Sequence, residues 1–169
     1  MKIPIKECIN SGAWYHFNTK AYLESADTEQ SDVDFRLKIF AFEKINLKKI
    51  DNPNKISLDL SSGVLWILRA QVVNLTKKTI GSFPVSEAVV LVDQDNYEFK
   101  PTSDGQLTMR AYGKANGLNI LNGWGGGYSE DCGILIPKIP IKGAFAFFLP
   151  KDEEAEYYLS NKNGEIREV

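Results

Sequence analysis

Val64-Leu65-Trp66-Ile67-Leu68-Arg69-Ala70-Gln71-Val72-Val73-Asn74 is the stretch whose reading decides the fold. At period two, Val64, Trp66, Leu68, Ala70 and Val72 make one unbroken apolar face. Leu65, Ile67, Arg69, Gln71 and Val73 make a second face, apolar at first and then mixed. Side chains alternate across a β-strand, so this pattern belongs to a long strand inside a sheet, with one face on a core and the other partly covered.

Working outward, Val33 to Phe42 alternates in the same way. Val33, Phe35, Leu37, Ile39 and Ala41 face inward, and Asp34, Arg36 and Lys38 face solvent, as in a half-buried antiparallel strand. Gly143 to Leu149 carries Phe145, Phe147 and Leu149 on one face and Ala144, Ala146 and Phe148 on the other, so it too is expected to be central. Shorter strands are read at 14–23, 56–60 and on both sides of Asp95-Asn96, a turn suited to positive φ. Tyr157-Tyr158-Leu159 and Ile166 flank Asn163-Gly164, a hairpin signal. Pro137 and Pro140 confine their segment to a sheet edge or a crossing between sheets. Residues 43–50 read equally as a short helix or an irregular link. The sum is about eight short strands separated by turns, the pattern of an antiparallel β-sandwich.

The expected organisation is therefore an N-terminal arm over 1–13, which shows no sustained period, and a single all-β domain over 14–169. Residues 101–133 interrupt the strands with a long glycine-rich loop that includes Gly125-Gly126-Gly127 and one possible helical turn from Gln106 to Lys114.

Composition narrows function by exclusion. The 169 residues, 43% hydrophobic and 11% aromatic, suffice for one packed core. Twenty basic against 22 acidic residues give a net charge of -2, which leaves no large basic surface for nucleic acid or anionic membrane. No apolar run is long enough to cross a bilayer, so a soluble protein with no transmembrane segment is expected. Residues 1–8 contain no hydrophobic signal region. That predicts a cytoplasmic location if Met1 is the native start and an extracytoplasmic one if a leader was trimmed. Cys8 and Cys132 match no metal or redox spacing, and whether they pair is open.

From Val64 onward the chain resembles a bacterial immunoglobulin-like domain of unknown function, of the kind common in secreted proteins and lipoproteins. Three motifs carry the resemblance, in order. They are the strand ending Val72-Val73-Asn74 before a polar turn, then Leu91-Val92-Asp93-Gln94-Asp95-Asn96-Tyr97-Glu98-Phe99, then Pro140 to Pro150 followed by Tyr157-Tyr158-Leu159. They span the C-terminal two-thirds. The chain departs from the family's pattern in its long Gly-rich loop and in lacking a lipid-attachment cysteine after a hydrophobic segment. The resemblance implies an immunoglobulin-like sandwich with a binding role, and it supplies no catalytic residues.

Residue chemistry separates the candidate sites. His16 is the sole histidine, with no Gly-flanked serine elbow in the chain, so packing at a strand surface is favoured over a catalytic base. Asp93, Asp95 and Glu98 lack the ligand run and central glycine of a helix-loop-helix calcium site. Glu153, Glu154 and Glu156 read as a solvated corner. No metal and no cofactor is expected.

The 112–128 loop is the chosen ligand-binding candidate. There Tyr112, Asn116, Asn119, Asn122, Trp124 and Tyr128 combine rigid amphipathic rings with adaptable amides, the mixture found in binding loops. Trp124 and Tyr128 could equally plug one end of the sandwich. The expected function is a non-catalytic interaction module that binds a protein, with a glycan as the other ligand class. The alternatives are a small hydrolase and a structural subunit of an oligomeric or envelope complex joined through a strand edge.

Overall fold

The computed structural model describes residues 2–21, 29, 31–45, 63–80, 88–101, 119–120, 135–162 and 164–169. In chain order the elements are β1 (Ile3–Pro4), α1 (Ile5–Ser11), β2 (Trp14–Ala21), β3 (Ser31–Lys44), β4 (Gly63–Asn74), β5 (Val89–Asp93), β6 (Glu98–Phe99), β7 (Asn119–Ile120), β8 (Ile141–Pro150), β9 (Tyr157–Asn161) and β10 (Arg167–Glu168). They form a four-stranded sheet, ordered β1-β9-β5-β6, and a six-stranded sheet, ordered β10-β2-β3-β4-β8-β7. Pairing is antiparallel except between β7 and β8, which run parallel.

The architecture is all-β and sandwich-like, and its core is the layer between the sheets. Phe17, Phe35, Leu37, Leu68, Val72, Phe145 and Phe147 from the large sheet meet Val89, Leu91 and Leu159 from the small one in a single buried cluster. Each such side chain withdrawn from water contributes about 1.5–3 kcal/mol, so this layer supplies most of the driving force for folding. β4 lies between β3 and β8 and registers Leu68 against Phe145 and Trp66 against Phe147. Leu65, Ile67, Ala144 and Ala146 on the reverse face are buried too, which is what apolar residues on both faces of β4 and β8 imply.

Four local expectations are corrected. The stretch 3–11 is an edge strand followed by a helix. Ile5, Cys8 and Ile9 recur at helical spacing, Ile5 and Cys8 are buried, and the helix ends where Gly12 takes φ 61, the left-handed conformation that favours glycine. β3 continues through Glu43 and Lys44 instead of breaking, but with a one-residue bulge between Ile39 and Ala41. A bulge flips the side-chain phase. Ala41 therefore leaves the inner face and Phe42 takes it, packing against the core cluster.

Around Asp95-Asn96 only Asn96 has positive φ, at 67. Asp93 N–H donates to Tyr97 O and Asn96 N–H to Asp93 O, both at 3.1 Å, closing a three-residue hairpin loop with its last residue left-handed. Finally, the Asn163-Gly164 region does not join a hairpin. β9 belongs to the small sheet and β10 pairs with β2 in the large one, so the chain crosses between the layers there. Leu159 and Ile166 are both buried in the shared core, and reaching it from opposite layers outweighs local turn preference.

The strand expected at 56–60 and the helical turn expected at 106–114 lie outside the described residues.

Candidate binding cleft

The β3 bulge sets up an aromatic cleft among the described residues. Once the phase has flipped, Phe42 lies against Trp66 on β4 with ring centroids 4.6 Å apart and planes 22° from parallel. Tyr157, the first residue of β9, meets Phe42 edge-on at 6.1 Å and Phe99 of β6 edge-on at 5.8 Å. Offset stacks and edge contacts are the favoured aromatic geometries, so these rings hold one another in place. Trp66 is only partly buried, and it lines a cleft at this end of β4.

The opening is a cleft of about 1030 Å³. Pro4, Ile5 and Ile9 of the β1–α1 segment form one wall, and Pro150 and Ala155 contribute to the other. Charged side chains ring it: Lys6 and Lys44 on the α1 and β3 side, and Asp152, Glu153 and Glu156 on the corner that follows β8. Lys44 Nζ stands 5.6 Å from the centroid of the Trp66 ring, within range of a cation–π attraction.

Both tyrosines at the start of β9 are held protonated, Tyr157 inside the cleft and Tyr158 on the outer face. Burial raises the Tyr157 hydroxyl above its ordinary range, with the carboxylates of Asp93 and Asp152 adding to the effect. Tyr158 O–H donates to Glu156 Oε2 at 3.2 Å, and that bond is the main reason its own value is raised. The cleft therefore offers the neutral Tyr157 ring and its hydroxyl between charges of both signs.

Of the six residues expected to bind, Asn119 opens β7, where it pairs with Gly143 of β8. Tyr112, Asn116, Asn122, Trp124 and Tyr128 lie outside the described residues, as does Cys132. The cleft draws on a different set, Phe42, Trp66 and Tyr157, which sequence reasoning assigned to core strands. A signal was present in Phe42, Lys44 and Trp66, aromatic and basic residues at strand ends. Their meeting on one face depends on the bulge, which alternation alone does not announce.

The other candidates lie at partly or fully exposed positions. His16 Nε2 lies 3.0 Å from Asp34 Oδ1, and Arg36, paired with His16 across the strands, stacks over Trp14 at 4.4 Å. This face is the reverse of the one carrying Tyr15 and Phe17, away from the cleft. Asp93 Oδ1 accepts the N–H groups of Asp95 and Tyr97, both at 2.9 Å, so it serves as a turn brace. Among the described residues no group of three or more His, Cys, Asp or Glu side chains could hold a metal ion. No described helix is long and apolar enough to cross a membrane. Cys8 is a free, buried thiol.

No protein-family model matches the chain, and no curated protein matches it. Among solved structures, it is similar to a conserved hypothetical protein from Bacillus anthracis, with 12% sequence identity, a TM-score of 0.47, and 91% of this chain and 96% of that chain covered.

Proposed function

We propose that the chain is a non-catalytic interaction module, an immunoglobulin-like sandwich that binds a segment of a partner protein at the Trp66 end. The observation that carries this reading is the half-buried cluster of Phe42, Trp66 and Tyr157 in an open cleft rimmed by charge. Interface hot spots have this make-up: rigid aromatic anchors in a partly desolvated pocket, with a polar rim. The 112–128 loop, with Trp124 and Tyr128, is proposed as a second contact in the same role.

The immunoglobulin-like assignment draws on two facing sheets with a tryptophan on the inner face of a central strand. The sequential neighbours β2, β3 and β4 within one sheet are a departure from that family's strand order.

The test is selection from a displayed library of linear peptides on the immobilised chain, followed by affinity measurement on variants. Tyr157→Ala is expected to weaken the selected peptides about thirtyfold, the loss of one hot-spot aromatic. Trp124→Ala and Tyr128→Ala are expected to weaken a larger partner fragment without lowering the melting temperature. Selected peptides that bind Tyr157→Ala as well as the parent would sink the cleft reading. Steady turnover of an ester or glycoside panel, lost in His16→Ala, would replace it with the hydrolase.

A further inference from the structure

The charges around the cleft are segregated. In the large sheet β4 lies between β3 and β8, so Lys44 at the end of β3 and the corner after β8 flank Trp66 on opposite sides. Lys6 projects from α1, which packs on β3, and so joins the Lys44 side. The corner contributes three carboxylates, Asp152, Glu153 and Glu156, against one cation, Lys151. One rim is therefore positive and the other net negative, with an aromatic floor between.

These charges do not neutralise one another. Among the described residues none of Lys6, Lys44, Lys151, Asp152, Glu153 and Glu156 forms an ion pair, although the ion-pairing groups His16–Asp34, Lys20–Asp32 and Arg69–Glu43 occur elsewhere on the surface. Opposite charges facing across an open cleft without meeting are complementary to something that lies between them. A purely basic or purely acidic ligand would match one rim and be repelled by the other. A neutral sugar can hydrogen-bond to either rim but gains no attraction between full charges.

We infer that the cleft takes an extended peptide segment of a partner protein in which a basic and an acidic side chain flank an aromatic or apolar one, spaced two residues apart. In an extended chain such residues share one face, and the two charges lie about 13 Å apart. The central side chain meets the Phe42–Trp66–Tyr157 floor while the acid faces Lys6 and Lys44 and the base faces the corner. This rests on the protein-binding reading above and adds the partner's charge pattern to it.

Four capped heptapeptides test it by titration calorimetry against the full chain: Gly-Lys-Val-Tyr-Val-Glu-Gly, and its counterparts with Gln and Gln, Lys and Lys, or Glu and Glu at the charged positions. The mixed-charge peptide is expected to bind tightest, about threefold to tenfold over the Gln version, as two solvent-exposed ion pairs allow. The margin should shrink as salt is raised.

The exposed side chains permit charge reversal with the fold intact, checked by melting temperature. Lys44→Glu takes its rim from two cations to no net charge and should bring the Lys/Lys peptide level with the mixed-charge one; Glu153→Lys takes the corner to no net charge and should do the same for the Glu/Glu peptide, which a merely structural role would not produce. Equal binding of all four peptides would overturn the charge pattern and leave protein binding standing. Binding of none would overturn it as well, and an empty library selection would then remove the protein-binding reading too. Capture of cellotetraose by a chain that ignores the peptides would overturn both in favour of a glycan.

Discussion

The two ends of β4 solve opposite problems. At the Asn74 end the layer is sealed. Asn74 is fully buried, and its side-chain amide donates to Lys78 O and Leu135 O, each at 2.8 Å. Its Oδ1 accepts the Thr76 N–H at 2.8 Å, and its carbonyl accepts the Lys138 N–H at 3.0 Å. One polar residue thus ties three chain segments together with no hydrogen-bonding group wasted. At the Trp66 end, by contrast, half-buried rings and charges that form no ion pair among the described residues line a cleft. A buried amide with all its partners closes a core, whereas aromatics that are not fully covered keep surface available to another molecule.

The comparison can be broken at either end. Asn74→Ala should be the most disruptive, at about 3 kcal/mol, since two carbonyls and one N–H lose their partner inside the protein. Urea unfolding reads this directly. A loss below that of an ordinary surface change would mean water substitutes freely and the end is not sealed.

Next comes the wall of the cleft. Burial pushes the Cys8 thiol on α1 up from 9.0 to about 11, against a hydrogen bond with the Tyr15 side chain that lowers it. A thiol that resists ionisation when folded contributes stability that is complete below pH 9 and lost as pH rises toward 11. The loss is on the order of 2 kcal/mol. Comparing the pH dependence of denaturation midpoints in the parent and Cys8→Ala isolates it. Parallel curves would show that α1 does not shield the thiol.

The smallest effect is expected from Gly63→Ala at the start of β4. A Cβ there would fall 2.6 Å from Phe148 Cζ and 2.8 Å from Leu149 O, and the backbone oxygen cannot rotate away. The cost is about 1 kcal/mol or slightly more. A neutral or stabilising result in thermal melts would show this end of β4 to be loosely held and the contrast with Asn74 to be greater still.

Legibility followed the range of the interactions. β3, β4 and β8 were readable because alternation is a local consequence of burying one face, and β2 because its residues favour strands. α1 was readable in principle from Ile5, Cys8, Ile9 and Gly12, but seven residues are too few to stand out against a polar, proline-containing background. The crossing after β9 was not readable. Asn163-Gly164 specifies that the chain turns, not which sheet the next strand joins. The cleft was hidden for a related reason: its residues come from α1, β3, β4, the corner after β8 and β9, and their convergence depends on one extra residue at Phe40.

By itself the sequence determined an all-β chain with two strands apolar on both faces at its centre, because side-chain periodicity and burial are coupled residue by residue. The tertiary structure decided how those strands divide between two sheets and where the layer between them is left open. Pairing partners and layer ends are set by contacts between residues far apart in the chain. Trp66 holds both halves of that statement, inward by its place in the alternation and partly exposed where it lines the cleft.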